Sequence, residues 1–129
     1  MPRINDLLDR TRNFALAVIT FCESLPKDET ARTLGRQLLR SGTSVGANYR
    51  AAHRARSTAD FIAKMGVVVE EADESGYWIE LLAAAGKADR STATSLQEEA
   101  DQLVAIAISS INTARRKCQP ESGRPAAEN

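Results

Sequence analysis

Apolar side chains recur every three or four residues along most of the chain, a spacing that places them on one face of an α-helix. The first repeat runs from Ile4 through Phe14 to Leu25, and similar repeats occupy three later segments. Pro26 and Gly86 interrupt the pattern between segments. We therefore predict four helices, at about residues 3–24, 29–54, 58–86 and 92–117.

Residues that start or stop helices set these boundaries. Pro26 disfavours helical backbone in the residue before it, and Ser57 can accept a hydrogen bond from an amide of the following turn. Gly86 is a natural stop, because glycine readily adopts the left-handed conformation that ends many helices. The fourth helix is expected to start near Ser91 or Thr92.

Three glycines lie inside the predicted second helix: Gly35, Gly42 and Gly46. Each costs up to about 1 kcal/mol relative to alanine in a helix interior, so a loop within this segment is the competing interpretation. If the segment is helical, the glycines form a strip without side chains beside its apolar face. Another helix could approach closely along that strip.

The helices define the fold class. Four helices with short connections predict an all-α, antiparallel, up-and-down four-helix bundle that occupies residues 1–118. A chain of 129 residues with 43% apolar residues suits one domain with one core. Residues 119–129 combine Pro, Gly, Ser and charge without an apolar anchor, and we predict that they form a disordered tail.

Charge is unevenly distributed, although the formal net charge of the chain is zero. Residues 29–56 carry six basic groups and one acidic group, whereas residues 57–86 carry one basic group and six acidic groups. On a helical projection, the arginines of the second helix form one stripe opposite the apolar face. This arginine stripe consists of Arg32, Arg36, Arg40, Arg50 and Arg54.

Three interpretations of the arginine stripe remain open. It is a solvated face, it pairs with the acidic third helix of the same or a neighbouring subunit, or it binds RNA or DNA. The guanidinium fork suits phosphate and carboxylate alike. The neutral chain and an aromatic content of 5% count against nucleic acid. Nucleic-acid binding would use Arg32, Arg36, Arg50 and Arg54.

Trp78 is the single tryptophan, and it projects away from the apolar face of the third helix. Glu71 and Glu74 lie near it on the same helix. An indole beside carboxylates favours a protein interface, and burial at the edge of the same bundle is the alternative.

Residues suited to catalysis are scarce. His53 is the only histidine, and the cysteines, Cys22 and Cys118, are expected to be small apolar fillers. The acids at 70–74 could bind a metal, but they lack the Glu-x-x-His pairs of di-iron bundles. We predict a protein that is not an enzyme and has no catalytic residues, metal site or cofactor.

The sequence also favours a cytoplasmic protein. No basic, apolar signal peptide precedes the first helix, and two cysteines suit a reducing compartment. The longest apolar stretches fall short of the roughly 20 residues that cross a bilayer, so we expect no membrane contact.

Residues 40–61, RSGTSVGANYRAAHRARSTADF, resemble the four-helix-bundle family encoded by intervening sequences in bacterial large-subunit ribosomal RNA genes. The family shows an Arg-Ser pair, a Ser-(Val/Ile)-x-Ala-Asn run, a basic stretch and an Asp-Phe pair. The matching residues here are Arg40, Ser41, Ser44, Val45, Ala47, Asn48, Arg54, Arg56, Asp60 and Phe61. With its helix lengths, the resemblance covers about residues 5–117.

The resemblance implies a ring-like homopentamer of four-helix protomers. The accessory protein of diversity-generating retroelements, which binds a reverse transcriptase and nucleic acid, is a relative. In such a ring the arginines of one subunit could meet carboxylates of the next, with the glycine strip allowing close packing. The expected oligomer interface consists of Arg40, Asn48, Asp60, Glu71, Glu74 and Trp78.

These expectations give two candidate functions. The first is a non-enzymatic homo-oligomeric scaffold that presents a surface to a protein partner. The alternative is an RNA- or DNA-binding accessory module that uses the arginine stripe.

Overall fold

Four α-helices make up the part of the chain that the structure describes, residues 4–118. In the computed structural model they are α1 (Ile4–Glu23), α2 (Glu29–His53), α3 (Thr58–Ala84) and α4 (Arg90–Cys118). The expected all-α class with four helices is confirmed, and their packing is that of a bundle. The predicted disordered tail lies outside the described residues.

Short connections make consecutive helices neighbours. α2 packs against α1 and α3, α3 also packs against α4, and α1 contacts α4. The largest fully buried side chains come from α1, α2 and α3, and include Phe14, Leu38, Met65 and Ile79. Burying one such side chain contributes about 1.5–3 kcal/mol. Tyr49 lies with them at 4% exposure, as its position on the apolar face predicts.

The glycine strip is where α1 crosses α2. α2 runs through all three glycines without a break, so the competing loop is excluded. A Cβ atom built on Gly42 would lie 2.8 Å from Val18 Cγ2, and one on Gly46 would lie 3.3 Å from the carbonyl oxygen of Thr11. The close approach therefore occurs inside one protomer, which corrects the expectation that the strip packs against another subunit.

The end of α3 shows why glycine is needed at position 86. Gly86 has φ +75°, and its amide donates to the carbonyl of Ala83 (3.0 Å). The next amide, of Lys87, donates to the carbonyl of Leu82 (2.9 Å), which completes a Schellman motif. The helix itself ends at Ala84, two residues before the predicted end.

Aspartates start α2 and α4. Asp28 Oδ1 accepts from the amide of Ala31 (2.9 Å), and Asp89 Oδ2 accepts from the amide of Thr92 (2.9 Å). Each amide hydrogen bond lowers the pKa of its aspartate. α4 therefore begins at Arg90, two residues before the predicted start, because Asp89 rather than Ser91 or Thr92 supplies the capping oxygen. Ser57 caps α3 as expected.

Candidate interaction surfaces

Arg40, Glu71, Glu74 and Trp78 form one cluster where α2 meets α3, which we call the seam cluster. Arg40 Nη2 lies 2.7 Å from Glu74 Oε2, and Arg40 Nη1 lies 3.3 Å from Glu71 Oε1. The indole Nε1 of Trp78 donates to Glu74 Oε2 (3.0 Å). These pairs join two helices of the same chain, which is one of the alternatives left open for the arginine stripe. The expected contact of these residues with another subunit stays a prediction.

The two carboxylates of the seam cluster differ in how well they are satisfied. Hydrogen bonds from Arg40 and Trp78 lower the pKa of Glu74, and the same contact with Glu74 raises the pKa of Arg40. Glu71 Oε1, in contrast, is shielded from solvent and accepts no hydrogen bond from the described residues, although it lies within ion-pair distance of Arg40. The other oxygen of this carboxylate, Glu71 Oε2, accepts from Arg40 Nη1 (3.4 Å).

A buried serine pair lies beneath the seam cluster. Ser75 Oγ donates to Ser41 Oγ (2.9 Å), and both side chains are fully buried. Ser75 also lies 2.8 Å from the carbonyl oxygen of Glu71. This polar link between α2 and α3 holds the backbone of Arg40 and Glu71 in register, because each residue neighbours or bonds to one of the serines.

Asn48 and Asp60 stand apart from the seam cluster. Asn48 Nδ2 donates to the carbonyl of Ser44 on its own helix (2.8 Å). Asp60 forms an ion pair with Lys64 one turn along α3, which lowers the pKa of Asp60. The six expected interface residues therefore comprise one connected group of four and two residues with local partners.

Tyr77 is an exposed aromatic residue that the sequence reasoning missed. Its side chain is 54% exposed, and its ring meets Trp78 edge-on at a centroid distance of 5.1 Å. Trp78 itself is partly buried against the core. A step of 100° back from Trp78 on the helical projection also places Tyr77 outside the apolar face.

The rest of the arginine stripe is not neutralised within the protomer. Among residues 4–118, no ion pair is formed by Arg32, Arg36, Arg50 or Arg54, and all four are exposed. Three exposed acids of α3, Glu70, Asp73 and Glu80, also form no ion pair within this range. Arg40 is therefore the one arginine of the stripe that forms an ion pair with a described residue.

A groove between α1 and α2 gathers part of the stripe. It has a volume of about 510 Å³ and is lined by Leu8, Asp9, Thr11, Arg12, Ala15, Thr43, Gly46, Ala47, Arg50, His53 and Arg54. We call it the α1–α2 groove. Arg50 reaches it from α2 and Arg54 from the residue directly after α2, whereas Arg32 and Arg36 line a separate depression nearer the start of α2. With Arg40 in the seam cluster, the structure divides the predicted stripe among three places.

Metal binding and membrane insertion would each require a feature of the helices. Among the described residues, no three or more His, Cys, Asp or Glu side chains are grouped so that they could hold a metal ion. None of α1 to α4 has an apolar stretch long enough to cross a membrane.

Comparison with known proteins identifies the family. The model of the family described as 23S rRNA-intervening sequence protein matches residues 4–109. A crystal structure of a protein of unknown function from the S23 ribosomal protein family of Bacteroides thetaiotaomicron has a TM-score of 0.76 and 35% identity. That match covers 81% of this chain and 96% of the other. No curated protein is significantly similar. The chain therefore belongs to the family of 23S rRNA-intervening sequence proteins.

Proposed function

We propose that this protein is a non-catalytic scaffold that works as a homo-oligomer without a cofactor, and that the seam cluster with Tyr77 is its contact surface. The observation that carries the proposal is the exposed ring of Tyr77, which meets the indole of Trp78 edge-on. The family resemblance favours a ring-like homopentamer as the assembly. Such a ring presents repeated helical surfaces to a protein partner.

The seam cluster is held together within the protomer. Glu74 Oε2 accepts from Arg40 and Trp78, and Glu71 Oε2 accepts from Arg40 (3.4 Å). These bonds fix the side chains next to Tyr77, so the exposed ring belongs to a preformed surface.

The neighbouring aromatic side chains supply apolar contact area. Tyr and Trp are enriched in protein interfaces, where a large ring is buried and its polar atom still finds a partner. Trp78 is already fixed by its bond to Glu74, so little conformational entropy is lost when a partner covers it. Tyr77 exposes about half of its surface beside that fixed ring.

Charge supports a head-to-tail arrangement. Within the described part of the chain, the outer side of α2 carries arginines without an ion pair, such as Arg32 and Arg36, and the outer side of α3 carries acids without one, such as Asp73 and Glu80. Contact between unlike faces of two subunits is heterologous, and it generates a ring if the rotation closes. Opposite charge on the two faces guides the approach and fixes the register.

The mass in solution tests the assembly directly. Multi-angle light scattering on a size-exclusion peak should give five times the chain mass of 14.0 kDa. Tyr77→Ala should shift the protein to smaller species at equal concentration. Leu16→Ala, which removes another exposed apolar side chain from α1, is the matched control and should leave the mass unchanged. A wild-type protein that stays monomeric at all concentrations would overturn the proposal.

Nucleic-acid binding is the second candidate function, and the unpaired arginines of the stripe favour it. Phosphate contacts release counterions, so the affinity for mixed RNA or DNA should fall steeply between about 50 and 200 mM salt. Arg36→Gln and Arg54→Gln should each weaken binding and reduce the salt dependence. No binding to mixed RNA or DNA at low salt would eliminate this candidate.

A further inference from the structure

The α1–α2 groove combines positive charge with apolar walls. The nucleic-acid candidate uses two of its arginines, Arg50 and Arg54, but gives the groove itself no role. Its volume of about 510 Å³ lies in the range of small-molecule sites, roughly 300–1,000 Å³. Leu8, Ala15 and Ala47 give it apolar surface. The groove is large enough for an organic molecule that carries an anionic group.

Three guanidinium groups line the groove: Arg12 from α1, Arg50 from α2, and Arg54 from the C-cap position directly after α2. Arg50 and Arg54 are four residues apart, the spacing of about one helical turn. Arg12 follows Thr11, whose carbonyl oxygen lies 3.3 Å from the Cβ position of Gly46, so α1 brings Arg12 close to α2. None of the three forms an ion pair with any described residue, which leaves them free to bind an anion.

The balance of charge indicates what kind of anion fits. Asp9 is the one carboxylate that lines the groove against three guanidinium groups, so the excess is two positive charges. A phosphate monoester carries about −1.5 to −2 at pH 7, which matches that excess better than a single carboxylate does. Guanidinium groups also bind phosphate oxygens in pairs through their planar fork.

An aromatic platform lies at the same groove. His53 is exposed and stacks on the buried ring of Tyr49, with ring centroids 6.5 Å apart and an angle of 15° between the planes. Because Tyr49 is packed in the core, it supports one side of the imidazole. A planar heterocycle can stack on the exposed side of His53.

We propose that the α1–α2 groove binds a nucleoside phosphate. The guanidinium groups of Arg12, Arg50 and Arg54 hold the phosphate, and the imidazole of His53 stacks against the base. Asp9 accepts a hydrogen bond from a ribose hydroxyl. This site involves none of the seam cluster, so it is independent of the assembly.

Calorimetric titration of the full chain with adenosine 5′-monophosphate tests the proposal at about 50 mM salt, where surface charge is weakly screened. Saturable binding of the monophosphate, with adenosine at least about tenfold weaker, is expected because the phosphate supplies the charged contacts. Arg12→Gln and Arg50→Gln should each weaken binding about tenfold or more. No saturable binding of the monophosphate, or equal binding of adenosine, would overturn the proposal.

Matched variants distinguish binding in the groove from an effect of the net charge of the protein. Arg90→Gln removes an exposed arginine that starts α4 and lies outside the groove, and it should leave the affinity unchanged. His53→Phe keeps a ring for stacking and should bind better than His53→Ala. Equal losses in Arg90→Gln and Arg50→Gln would reduce the effect to net charge and contradict the site.

Two further readouts distinguish this site from the proposed functions. A Tyr77→Ala protein that no longer assembles should still bind the monophosphate. Loss of assembly and loss of monophosphate binding are therefore separate outcomes. An RNA oligonucleotide with a 5′-hydroxyl offers only phosphodiesters and should displace the monophosphate poorly. If the oligonucleotide competes as well as the monophosphate does, the groove binds the phosphodiester backbone of a polynucleotide and the proposal fails.

Discussion

The two sides of α2 use the same residue type in different ways. On the side that faces α3, Arg40 is neutralised by Glu71 and Glu74. On the side that faces α1, Arg50 and Arg54 form no ion pair with a described residue and line a groove. An arginine stripe on one helix is therefore not one functional surface, because the neighbouring helix decides whether each guanidinium group is structural or free to bind.

The largest effect on stability is expected when a side chain is added at the close contact between α1 and α2. Gly42→Val adds atoms where a Cβ alone would lie 2.8 Å from the fully buried Val18, so the unfolding free energy should fall by about 1–3 kcal/mol or more. Gly66→Val is the control, because nothing lies within 4 Å of a Cβ there, and it should change stability by less than about 0.5 kcal/mol. Urea unfolding measures both. Equal midpoints would contradict close packing of α1 on this strip.

A smaller effect should separate the two kinds of arginine. Arg40→Gln removes the partner of Glu71 and Glu74, and because Arg40 is half exposed we expect a loss of up to about 1 kcal/mol. Arg50→Gln removes no ion pair and should stay within about 0.5 kcal/mol of wild type. The same urea titration compares them. A larger loss in Arg50→Gln would reverse the assignment of structural and free arginines.

The smallest expected effect is a change in thermal stability at acidic pH. The pKa of Glu74 is lowered in the folded chain by hydrogen bonds from Arg40 and Trp78, so the folded state binds its proton less readily than the unfolded state. Its contribution to stability is present above the unfolded pKa, near 4.3, and is lost as the pH falls through the folded pKa. Melting temperatures of wild type and Glu74→Gln should therefore differ at pH 7 and converge below about pH 4.

A constant difference across that pH range would mean that the charge of Glu74 contributes nothing to the seam cluster. Glu80→Gln is a suitable control, because Glu80 is an exposed acid of α3 without an ion pair among the described residues. Its melting curve should follow that of wild type at every pH.

The number and order of the helices could be predicted because the apolar period and the stop residues are local features. The course of α2 through its glycines was harder, since helix propensity argues against it and only the contact with α1 compensates. The partners of Arg40 could not be decided, because a projection of one helix does not say which chain supplies the next. Arg12 was not predicted as a site residue, because a single cation on α1 indicates a binding site only when the fold places it in the same groove as Arg50.

Asp28 links two connections at one end of the bundle. Its Oδ1 caps α2, while its Oδ2 accepts from Lys87, two residues before the cap of α4 (3.1 Å). If either connection opens, the other loses a bond, so the two should unfold locally as one cooperative unit. In native-state hydrogen exchange, the amides of Ala31 and Lys87 should then share one opening free energy, and Asp28→Asn should lower it for both.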